Sequence, residues 1–592
     1  MSYDGIVMRA VALELQNILS GARVDKIYQP GKYEVILSLR QPGQSYRLML
    51  SAAAQEAGVY LTTRTFVNPT EPPLFCMLLR KHLEGGRIAS VAQRGLERIL
   101  EITCDVLDDW GEPAQRRLII EVMGKHSNII LLNPAENRIL DAVHRVSFSV
   151  SRYRQVLPGL PYQAPPEQDK LIPWEASPEE FSAKLLSHPY SHTLYKALLS
   201  SFAGFGPLTV EEVIYRSGLS ANLTLEYCGE YELSLLWRFF RQTAEDIRTG
   251  RFEPEIVRQD NKPLAFSALA LTHFTAGTRQ RYAGISETVD TYYGGKREVN
   301  LFTQKKNDLL QVIKKESERC EKKAGLQLET IHAAETSDHY RLWGELLTAQ
   351  QHALQPGKTA EVLNFYAEKE EILTIPLREE LTLLENAQSY FNKYRKAKNA
   401  AKKARPQYEE TAAELSYLNS IAISVENVES VTELNEIREE LIEAGYLKPA
   451  PPGKGKVKPQ AAQASAPLRF LLEGWEIYAG RNNKQNDLLV TRLAKPEDTW
   501  LHTKDIPGSH VLIKNKQGEP VPDSILEKAA LIAAYHSKAR LSTHVPVDYT
   551  LRKYVWKIKG AKPGMVHYEN QRTVFVTPDA ETIRQLFTYV QQ

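Results

Sequence analysis

Cysteine is scarce in this sequence, and no two cysteines form a paired motif. The 592 residues hold four cysteines without a C-x-x-C among them: Cys76, Cys104, Cys228 and Cys320. This spacing argues against a structural zinc site and against a disulfide framework. We therefore expect no metal, and we expect the reducing cytoplasm as the compartment.

Long apolar runs are also absent. No stretch of about 18 apolar residues occurs, so we expect no transmembrane helix and no membrane partner. The first residues include Asp4 and lack the apolar core of a secretory signal, so no signal peptide is expected. The 74 basic and 72 acidic residues give a net charge of +2, so nucleic-acid binding must use local basic patches.

The familiar catalytic motifs are missing as well. The sequence holds no G-x-S-x-G, no Walker loop and no H-E-x-x-H. It therefore predicts no catalytic residues and no cofactor. A protein that binds its partners without transforming them is favoured over an enzyme.

The chain is too long for one hydrophobic core, and its length predicts about four domains. Its first part mixes two periodicities, which indicates an α+β domain. Helical spacing covers residues 6–19 and 74–83. Strand-like runs follow the alternating pattern at residues 33–39, 46–50, 99–106, 117–123 and 127–132.

Residues 178–250 are helical and contain the sequence FAGFGPLT at 202–209. This stretch is similar to a helix-hairpin-helix signature, in which glycines precede a helix. Gly204 and Gly206 would let a phosphate approach, and the next helix offers free N–H groups and the positive end of its dipole. The alternative is a tight turn between two helices without a ligand.

Residues 293–445 are charge-rich and predict two long helical arms. A heptad-like stripe marks the first arm at Leu309, Ile313, Cys320, Ala324 and Ile331, and the second at Leu434, Ile437 and Leu441. Between the arms, Pro356 and a strand-like run at 372–375 break the pattern. We expect an antiparallel coiled coil with a small tip, and a kink or division of the returning arm at Pro406.

A run of cations without any acidic residue lies on the returning arm. Its members are Lys393, Arg395, Lys396, Lys398, Lys402, Lys403 and Arg405. On a helix, these positions cover more than one face. The run therefore predicts a contact with RNA phosphates, with Lys393, Arg395, Lys396 and Lys398 as its first candidates.

The C-terminal part carries a dense polar stretch, GWEIYAGRNNKQNDLLVTRLAKPEDTWLHTKDIPGSHVLIKN, at residues 474–515. Residues 475–479, 499–503 and 509–513 alternate as strands do, and the two neighbouring asparagines suit a turn. Many donors and few carboxylates favour an anionic partner such as RNA. The candidates are Arg481, Asn482, Asn483, His502, Lys504 and His510.

This stretch closely resembles the RNA-binding domain of the NFACT family of ribosome quality-control factors. The opening MSYDGIVMRAVALEL and the segment EVMGKHSNIILLN at 121–133 resemble the N-terminal domain of the same family. The resemblance implies a multidomain α+β protein. Its parts would be a glycosylase-like α+β domain (1–175), a helix-hairpin-helix module (176–255), coiled-coil arms with a tip (256–446), a linker (447–467) and the RNA-binding domain (468–592).

The family resemblance also implies a function. Such proteins bind a large ribosomal subunit that still holds peptidyl-tRNA after stalling, and they recruit alanyl-tRNA. The subunit then adds alanines to the nascent chain without mRNA, which marks the chain for degradation. A small RNA-binding co-factor is a further implied partner.

The resemblance implies tRNA-binding residues in the N-terminal domain. An acid–arginine pair is typical of the family, and this sequence has Glu97-Arg98 where the acid is usually aspartate. Asp4 matches an acidic residue near the family's N-terminus, and an N-cap of the first helix is the equal alternative. Lys125 and His126 would line the same groove, or they form an ordinary hairpin turn.

Two other classes of function compete with this interpretation. One is a surface adhesin that binds fibronectin, a name often given to family members. The other is an enzyme, because the family's N-terminal domain is regarded as similar to DNA glycosylases of the formamidopyrimidine type. Those enzymes use an N-terminal proline as nucleophile, whereas Ser2 follows Met1 here.

Overall fold

A computed structural model describes residues 2–259, 262–355, 357–369, 371–449, 465–516, 518–557, 559–587 and 590–591. The chain divides into an N-terminal unit, Met1–Asn300, and a C-terminal unit, Leu301–Gln592. Most of the predicted linker 447–467 lies outside the described residues, as does Pro356 at the predicted break between the arms.

The N-terminal unit combines helices with antiparallel strands. Its helices are α1 (Gly5–Leu19), α2 (Leu74–Leu83), α3 (Pro178–Leu186), α4 (Leu194–Ser201), α5 (Pro207–Arg216) and α6 (Glu230–Thr249). Its strands are β1 (Arg23–Gly31), β2 (Glu34–Gln41), β3 (Gln44–Ser51), β4 (Gly58–Leu61), β5 (Arg87–Gln93), β6 (Ile99–Leu107), β7 (Pro113–Glu121), β8 (Asn128–Asn133), β9 (Arg138–Ala142), β10 (Glu255–Gln259), β11 (Lys262–Ser267) and β12 (Thr278–Arg281). The helix α7 (Ile285–Glu335) crosses the boundary at residue 300.

Within the described range 2–259, nine strands form one antiparallel sheet in the order β4-β3-β2-β1-β5-β6-β7-β8-β9. The predicted helices at 6–19 and 74–83 are confirmed to within one residue at each end, and the predicted strands to within four residues. The helix α1 packs its apolar residues, among them Ile6, Val11 and Leu15, into the core beside this sheet. The α+β character of the N-terminal part is therefore confirmed.

The helices α3 to α6 share a core of aromatic rings that fixes the turn between α4 and α5. The rings of Phe181, Phe202, Phe205 and Phe240 lie with centroids 4.4 to 6.5 Å apart. Because Phe202 and Phe205 belong to the FAGFGPLT turn, their burial anchors that turn to α6. After α6, the strands β10, β11 and β12 form a small antiparallel sheet, so the arms do not begin at residue 256 as predicted.

The C-terminal unit contains the rest of α7 and a second sheet. Its further helices are α8 (Asp338–Ala349), α9 (Leu383–Asn427), α10 (Val431–Glu443), α11 (Asn483–Leu488), α12 (Asp523–Tyr535) and α13 (Ala580–Phe587). Its strands are β13 (Thr359–Leu363), β14 (Ile372–Pro376), β15 (Leu468–Leu472), β16 (Trp475–Ala479), β17 (Thr499–Thr503), β18 (Val511–Ile513), β19 (Val545–Leu551), β20 (Val555–Trp556), β21 (His567–Tyr568), β22 (Arg572–Val576) and β23 (Val590–Gln591).

The helices α7 and α9 run antiparallel in the C-terminal unit. Near one end, Lys306 donates to the carbonyl of Glu426 at 2.7 Å. Towards the other end, Arg405 lies 3.4 Å from Glu335. Between these contacts, an apolar core joins the predicted residues Leu309, Ile313 and Cys320 of α7 to Tyr417, Leu418, Ile421 and Val425 of α9.

One detail of the predicted arms is wrong, and of the kink or division predicted at Pro406 the division is excluded. The returning arm is α9, and Leu434, Ile437 and Leu441 belong to the separate helix α10, which packs onto the same core. Pro406 does not divide the arm, because α9 is one continuous helix from Leu383 to Asn427. A tip does follow α7, where α8, the hairpin of β13 and β14 and the start of α9 share a small core around Leu346, Val362 and Ile375.

Seven described strands of the C-terminal unit form an antiparallel sheet in the order β22-β19-β17-β18-β16-β15-β23, and α12 packs against it. The predicted strands at 475–479 and 499–503 are confirmed as β16 and β17. The strand predicted at 509–513 begins only at Val511. The predicted asparagine turn is wrong, because Asn482 is the N-cap of the short helix α11 and its side chain accepts from the amide of Gln485 at 2.9 Å.

The pairing of α7 with α9 yields a stability prediction. Ile313 is buried in the core between the two helices. Ile313→Ala should destabilise that core by roughly 2–5 kcal/mol, because it removes buried methyl groups and leaves a cavity. The measurement is amide hydrogen exchange of residues 415–425 of α9 in the full chain. The neighbouring exposed change Lys314→Ala is the control, and equal exchange in the two variants would contradict the pairing.

Candidate nucleic-acid interfaces

One cavity in the N-terminal unit collects most of the residues that the sequence assigns to tRNA. It has a volume of about 260 Å³ and lies between the start of α1, the loop from β5 to β6 and the turn from α4 to α5. The assigned residues in its lining are Asp4, Glu97, Arg98, Gly204 and Gly206. Three distant parts of the sequence therefore share one site.

Asp4 is buried beside this cavity, and each of its carboxylate oxygens accepts two hydrogen bonds. Oδ1 accepts from the amides of Ile6 at 3.0 Å and Val7 at 2.9 Å, which makes Asp4 the N-cap of α1. Oδ2 accepts from the amide of Gly206 at 3.2 Å and from the hydroxyl of Thr209 at 2.9 Å. Burial raises the pKa of Asp4. The same carboxylate therefore starts α1 and holds the first turn of α5.

The glycines of the turn allow this close approach to α1. A Cβ atom at position 206 would lie 2.6 Å from the Cβ of Asp4, which is too close for any side chain. Gly204 has a φ of 80°, a left-handed conformation that favours glycine. Because the amide of Gly206 is bonded to Asp4 in this structure, contact of Gly204 and Gly206 with a phosphate stays a prediction.

Glu97 and Arg98 are half-buried on a loop whose backbone is fixed from two sides. The side chain of Gln93 donates to the carbonyls of Gly5 at 2.9 Å and Glu97 at 2.8 Å. The carbonyl of Arg98 accepts from the amide of Val122 at 2.9 Å. The hydrogen bonds therefore fix the backbone that carries Glu97 and Arg98 at the cavity. A loop that is already fixed loses less conformational entropy when a ligand binds.

Lys170 is a cation of this cavity that sequence reasoning missed. It is half-buried in the lining. Burial lowers its pKa, the carboxylate of Glu97 raises it, and the guanidinium of Arg98 lowers it, so its ammonium group lies near both. Lys170 belongs to the irregular segment between β9 and α3, where neither periodicity nor a motif marks it.

Lys125 and His126 lie outside the cavity lining. They form a short 3-10 turn between β7 and β8, and both side chains are exposed. The strands β6 and β7 pair Ile99 with Glu121, so this turn and the loop that carries Arg98 lie at the same end of the sheet. The turn that the sequence predicts is therefore confirmed, and contact of Lys125 and His126 with tRNA stays a prediction.

In the C-terminal unit, four consecutive residues meet the acidic face of α10. The contacts are Arg481 with Glu433, Asn482 with Glu436 (2.9 Å), Asn483 with Glu440 (3.1 Å) and Lys484 with Glu443 (2.9 Å). The four glutamates recur at spacings of three and four residues, so they line one face of α10. We call this set the α10 stripe.

The α10 stripe changes the interpretation of the predicted RNA-facing surface. The local sequence 474–515 has few carboxylates, but the fold supplies them from α10. Arg481, Asn482 and Asn483 face α10 in this structure, and their contact with RNA stays a prediction. The spacing of the glutamates is visible in the sequence, whereas their partners are not.

His502 and His510 line a second cavity, of about 380 Å³, together with Asn483, Trp500 and Tyr568. Burial lowers the pKa of His502, and it lowers that of His510 further below the ordinary range. Both imidazoles are therefore neutral at neutral pH and add no positive charge for a phosphate. Lys504 is exposed on the turn after β17, outside the lining of this cavity.

The predicted basic run lies on α9, and all seven of its cations are exposed. Some are engaged: Lys393 lies over the rings of Tyr340 and Tyr390, Lys398 pairs with Asp338 at 3.3 Å, and Arg395 donates to Asn392 at 2.8 Å. Lys396, Lys402 and Lys403 form no ion pair with any residue that the structure describes. These three lysines therefore offer exposed positive charge to an anionic partner.

The described ranges were compared with the requirements of a metal site and of a membrane-spanning helix. The part of the chain that the structure describes holds no cluster of three or more histidine, cysteine or acidic residues able to hold a metal ion. The helices within that part are all too short or too polar to cross a bilayer.

Comparison with known proteins identifies the family. The family described as NFACT N-terminal and middle domains matches residues 4–460, and the NFACT protein RNA binding domain matches residues 471–570. The chain is 40% identical to the Rqc2 homolog RqcH of Bacillus subtilis (strain 168) over 587 residues, which covers 99% of this chain and 100% of that protein. The chain belongs to the NFACT family.

The NFACT resemblance that the sequence motifs predict is thereby confirmed over both units. The chain is also 26% identical to the human ribosome quality control complex subunit NEMF over 226 residues, 38% of this chain and 20% of that protein. A solved N-terminal structure of the fibronectin/fibrinogen-binding protein from Streptococcus suis is 33% identical, with a TM-score of 0.41, and covers 50% of this chain and 99% of that one.

The double role of Asp4 predicts graded effects on stability. Asp4→Ala removes the N-cap and leaves the amide of Gly206 without its acceptor, a loss of roughly 2–4 kcal/mol. Asp4→Asn keeps a capping oxygen but presents an amide to Gly206 and Thr209, so its effect should be smaller. Hydrogen exchange at residues 206–212 of the full chain is the measurement. An Asp4→Ala chain with wild-type protection of α5 would contradict this role.

The α10 stripe predicts that Arg481 stabilises the C-terminal unit. The side chain of Glu433 is only 5% exposed, so Arg481→Ala leaves a buried carboxylate without its cation. The expected loss is about 2 kcal/mol, measured by hydrogen exchange in α10.

Addition of Glu433→Gln to that variant should restore part of the loss, because the unpaired charge is then gone. Lys504→Ala is the matched control, since Lys504 is exposed. If the Arg481 and Lys504 variants exchange alike, the stripe contributes nothing to stability.

Proposed function

We propose that this protein binds large ribosomal subunits that have stalled with peptidyl-tRNA. It recruits alanyl-tRNA to them, and alanines are added to the nascent chain without mRNA as a mark for degradation. The observation that carries the proposal is the cavity where Arg98 and Lys170 lie beside Glu97, in an NFACT chain that matches RqcH along its whole length.

The cavity has the chemistry to hold part of a tRNA. The planar guanidinium of Arg98 can donate two parallel hydrogen bonds to a phosphate or to the edge of a guanine. Glu97 can accept from a base amino group, and Lys170 supplies a second cation for the backbone. Lys125 and His126, exposed at the same end of the sheet, extend this surface beyond the cavity.

The basic run on α9 suits the ribosomal partner. Its seven exposed cations lie on one long helix, without a carboxylate among them. An array of phosphates releases counterions when such cations bind, so the contact should weaken steeply with salt. We assign this run to ribosomal RNA and the cavity of the N-terminal unit to tRNA.

In this proposal, the chain itself catalyses no reaction. The ribosome performs peptidyl transfer, and the protein positions its substrates in the cytoplasm. A small RNA-binding co-factor would add to the contacts with the subunit. The RNA-binding domain at residues 471–570 supports RNA as the class of partner for the C-terminal unit as well.

The test uses variants of the full chain purified from cells, with bound tRNA and large-subunit RNA quantified separately. Arg98→Ala should lose tRNA by about five- to 150-fold in affinity, the equivalent of one bidentate contact at roughly 1–3 kcal/mol. It should keep the large subunit and lose alanine tails. The matched control is Arg87→Ala, an exposed arginine at the other end of β5.

A second variant separates the two surfaces. The triple change of Lys396, Lys402 and Lys403 to glutamate should lose ribosomal RNA, while the isolated protein still binds tRNA. If the Arg98 variant retains tRNA and tailing at the wild-type level, the assignment of the cavity to tRNA is wrong.

A further inference from the structure

The second cavity, in the C-terminal unit, has features of a ligand site that the proposed function does not explain. One wall is aromatic: the rings of Trp500 and His502 are nearly parallel, with centroids 5.8 Å apart, and Tyr568 lies 4.9 Å from Trp500. The ring of His510 stands perpendicular to that of His502 at 5.3 Å. Side chains of α9, Ser416, Tyr417 and Ser420, form the opposite wall.

An unsatisfied donor marks this cavity. Trp500 is fully buried and lines it, yet its indole Nε1 finds no hydrogen-bond acceptor among the described residues. Buried donors are paired in most proteins. Because Nε1 is itself buried, a ligand in the cavity would pair with it only after the indole ring shifts. The volume of about 380 Å³ falls within the range of small-ligand sites.

The polar groups around the cavity favour a neutral heterocycle over a phosphate. His502 and His510 are neutral at neutral pH because burial lowers the pKa of each. Asp505 adds a carboxylate to the lining, which would repel an anion. Neutral imidazoles and the amide oxygen of Asn483 offer donors and acceptors to the edge of a base, whereas the amide nitrogen of Asn483 already donates to Ser420 and Glu440.

Hydrogen bonds fix the α9 wall to the neighbouring helices α10 and α11. Tyr417 donates to Oε1 of Glu440 at 2.8 Å, and Asn483 donates to the same oxygen at 3.1 Å and to Ser420 at 2.9 Å. The cavity is therefore a gap between two held walls rather than a loose surface groove. At its edge, the ammonium group of Lys562 lies 5.0 Å from the centre of the Tyr417 ring, a position suited to the phosphate that follows a bound base.

We propose that this cavity takes one unpaired RNA base, held between the aromatic wall and α9. The base would be read on its edge by His502 and the amide oxygen of Asn483. The inference deepens the proposed RNA-binding function of the C-terminal unit and rests on it. It assigns to this unit recognition of single-stranded RNA through a base, beside the phosphate contacts of the basic run.

The test compares two kinds of RNA on the full chain. One is a set of four homopolymeric RNA hexamers, and the other is a hexamer with the same sugar-phosphate backbone and no bases. The wild type should bind at least one of the homopolymers about five- to 150-fold more tightly than the abasic hexamer, as expected for one stacked base. Phosphate contacts elsewhere contribute equally to both.

The discriminating variant is Ser416→Trp, which fills the cavity from an exposed position on α9. It should abolish the preference for bases and leave the affinity for the abasic hexamer unchanged. Gln407→Trp, at an exposed position of α9 outside the lining, should behave as wild type. His502→Leu keeps the bulk of the ring but loses its nitrogens, and should lower the preference in part.

The possible outcomes distinguish base recognition in the second cavity from RNA binding by the chain as a whole. If the wild type binds the homopolymers and the abasic hexamer equally, the pocket is a structural gap and the inference is overturned, while RNA binding stands. If it binds neither, RNA binding fails and the pocket with it. A preference for bases that survives Ser416→Trp would place base recognition elsewhere on the chain.

Discussion

The N-terminal site depends on one buried carboxylate. Asp4 accepts four hydrogen bonds, two from the first turn of α1 and two from the start of α5. The cavity lies where these two helix starts meet the loop of Arg98, so the position of its cations follows from this contact. Asp4, which the sequence offers as either a cap or a binding residue, is thus a cap whose contacts shape the candidate site.

Carboxylates organise the C-terminal unit in a comparable way. The glutamates of the α10 stripe neutralise or bond the polar run from Arg481 to Lys484, which leaves those donors facing protein. In the proposed function, the exposed cations of α9 meet RNA phosphates, while the neutral histidines of the second cavity suit a base. We therefore assign recognition of the RNA backbone and recognition of an RNA base to different surfaces of the C-terminal unit.

Local patterns predict the elements well and the partners of the site residues poorly. Apolar spacing gives α1, α2, β6 and β8 to within one residue at each end and β7 to within four, because one face of each is buried. The continuity of α9 through Pro406 departs from the local rule that proline ends a helix. The N-cap role of Asn482 is a local contact with the amide of Gln485, but a helix of six residues is too short for apolar periodicity to mark it. Lys170 and the contact of Arg481 with Glu433 join segments far apart in sequence, so only the fold could reveal them.

In the proposed function, tRNA and ribosomal RNA bind different surfaces of this chain. Ultraviolet crosslinking in cells, with crosslinked peptides mapped separately for tRNA and large-subunit RNA, tests it most directly. We expect tRNA crosslinks in peptides that contain residues 94–98 and 168–170, and ribosomal RNA crosslinks at residues 393–405. Crosslinks of tRNA confined to the C-terminal unit, with none in the N-terminal unit, would contradict it.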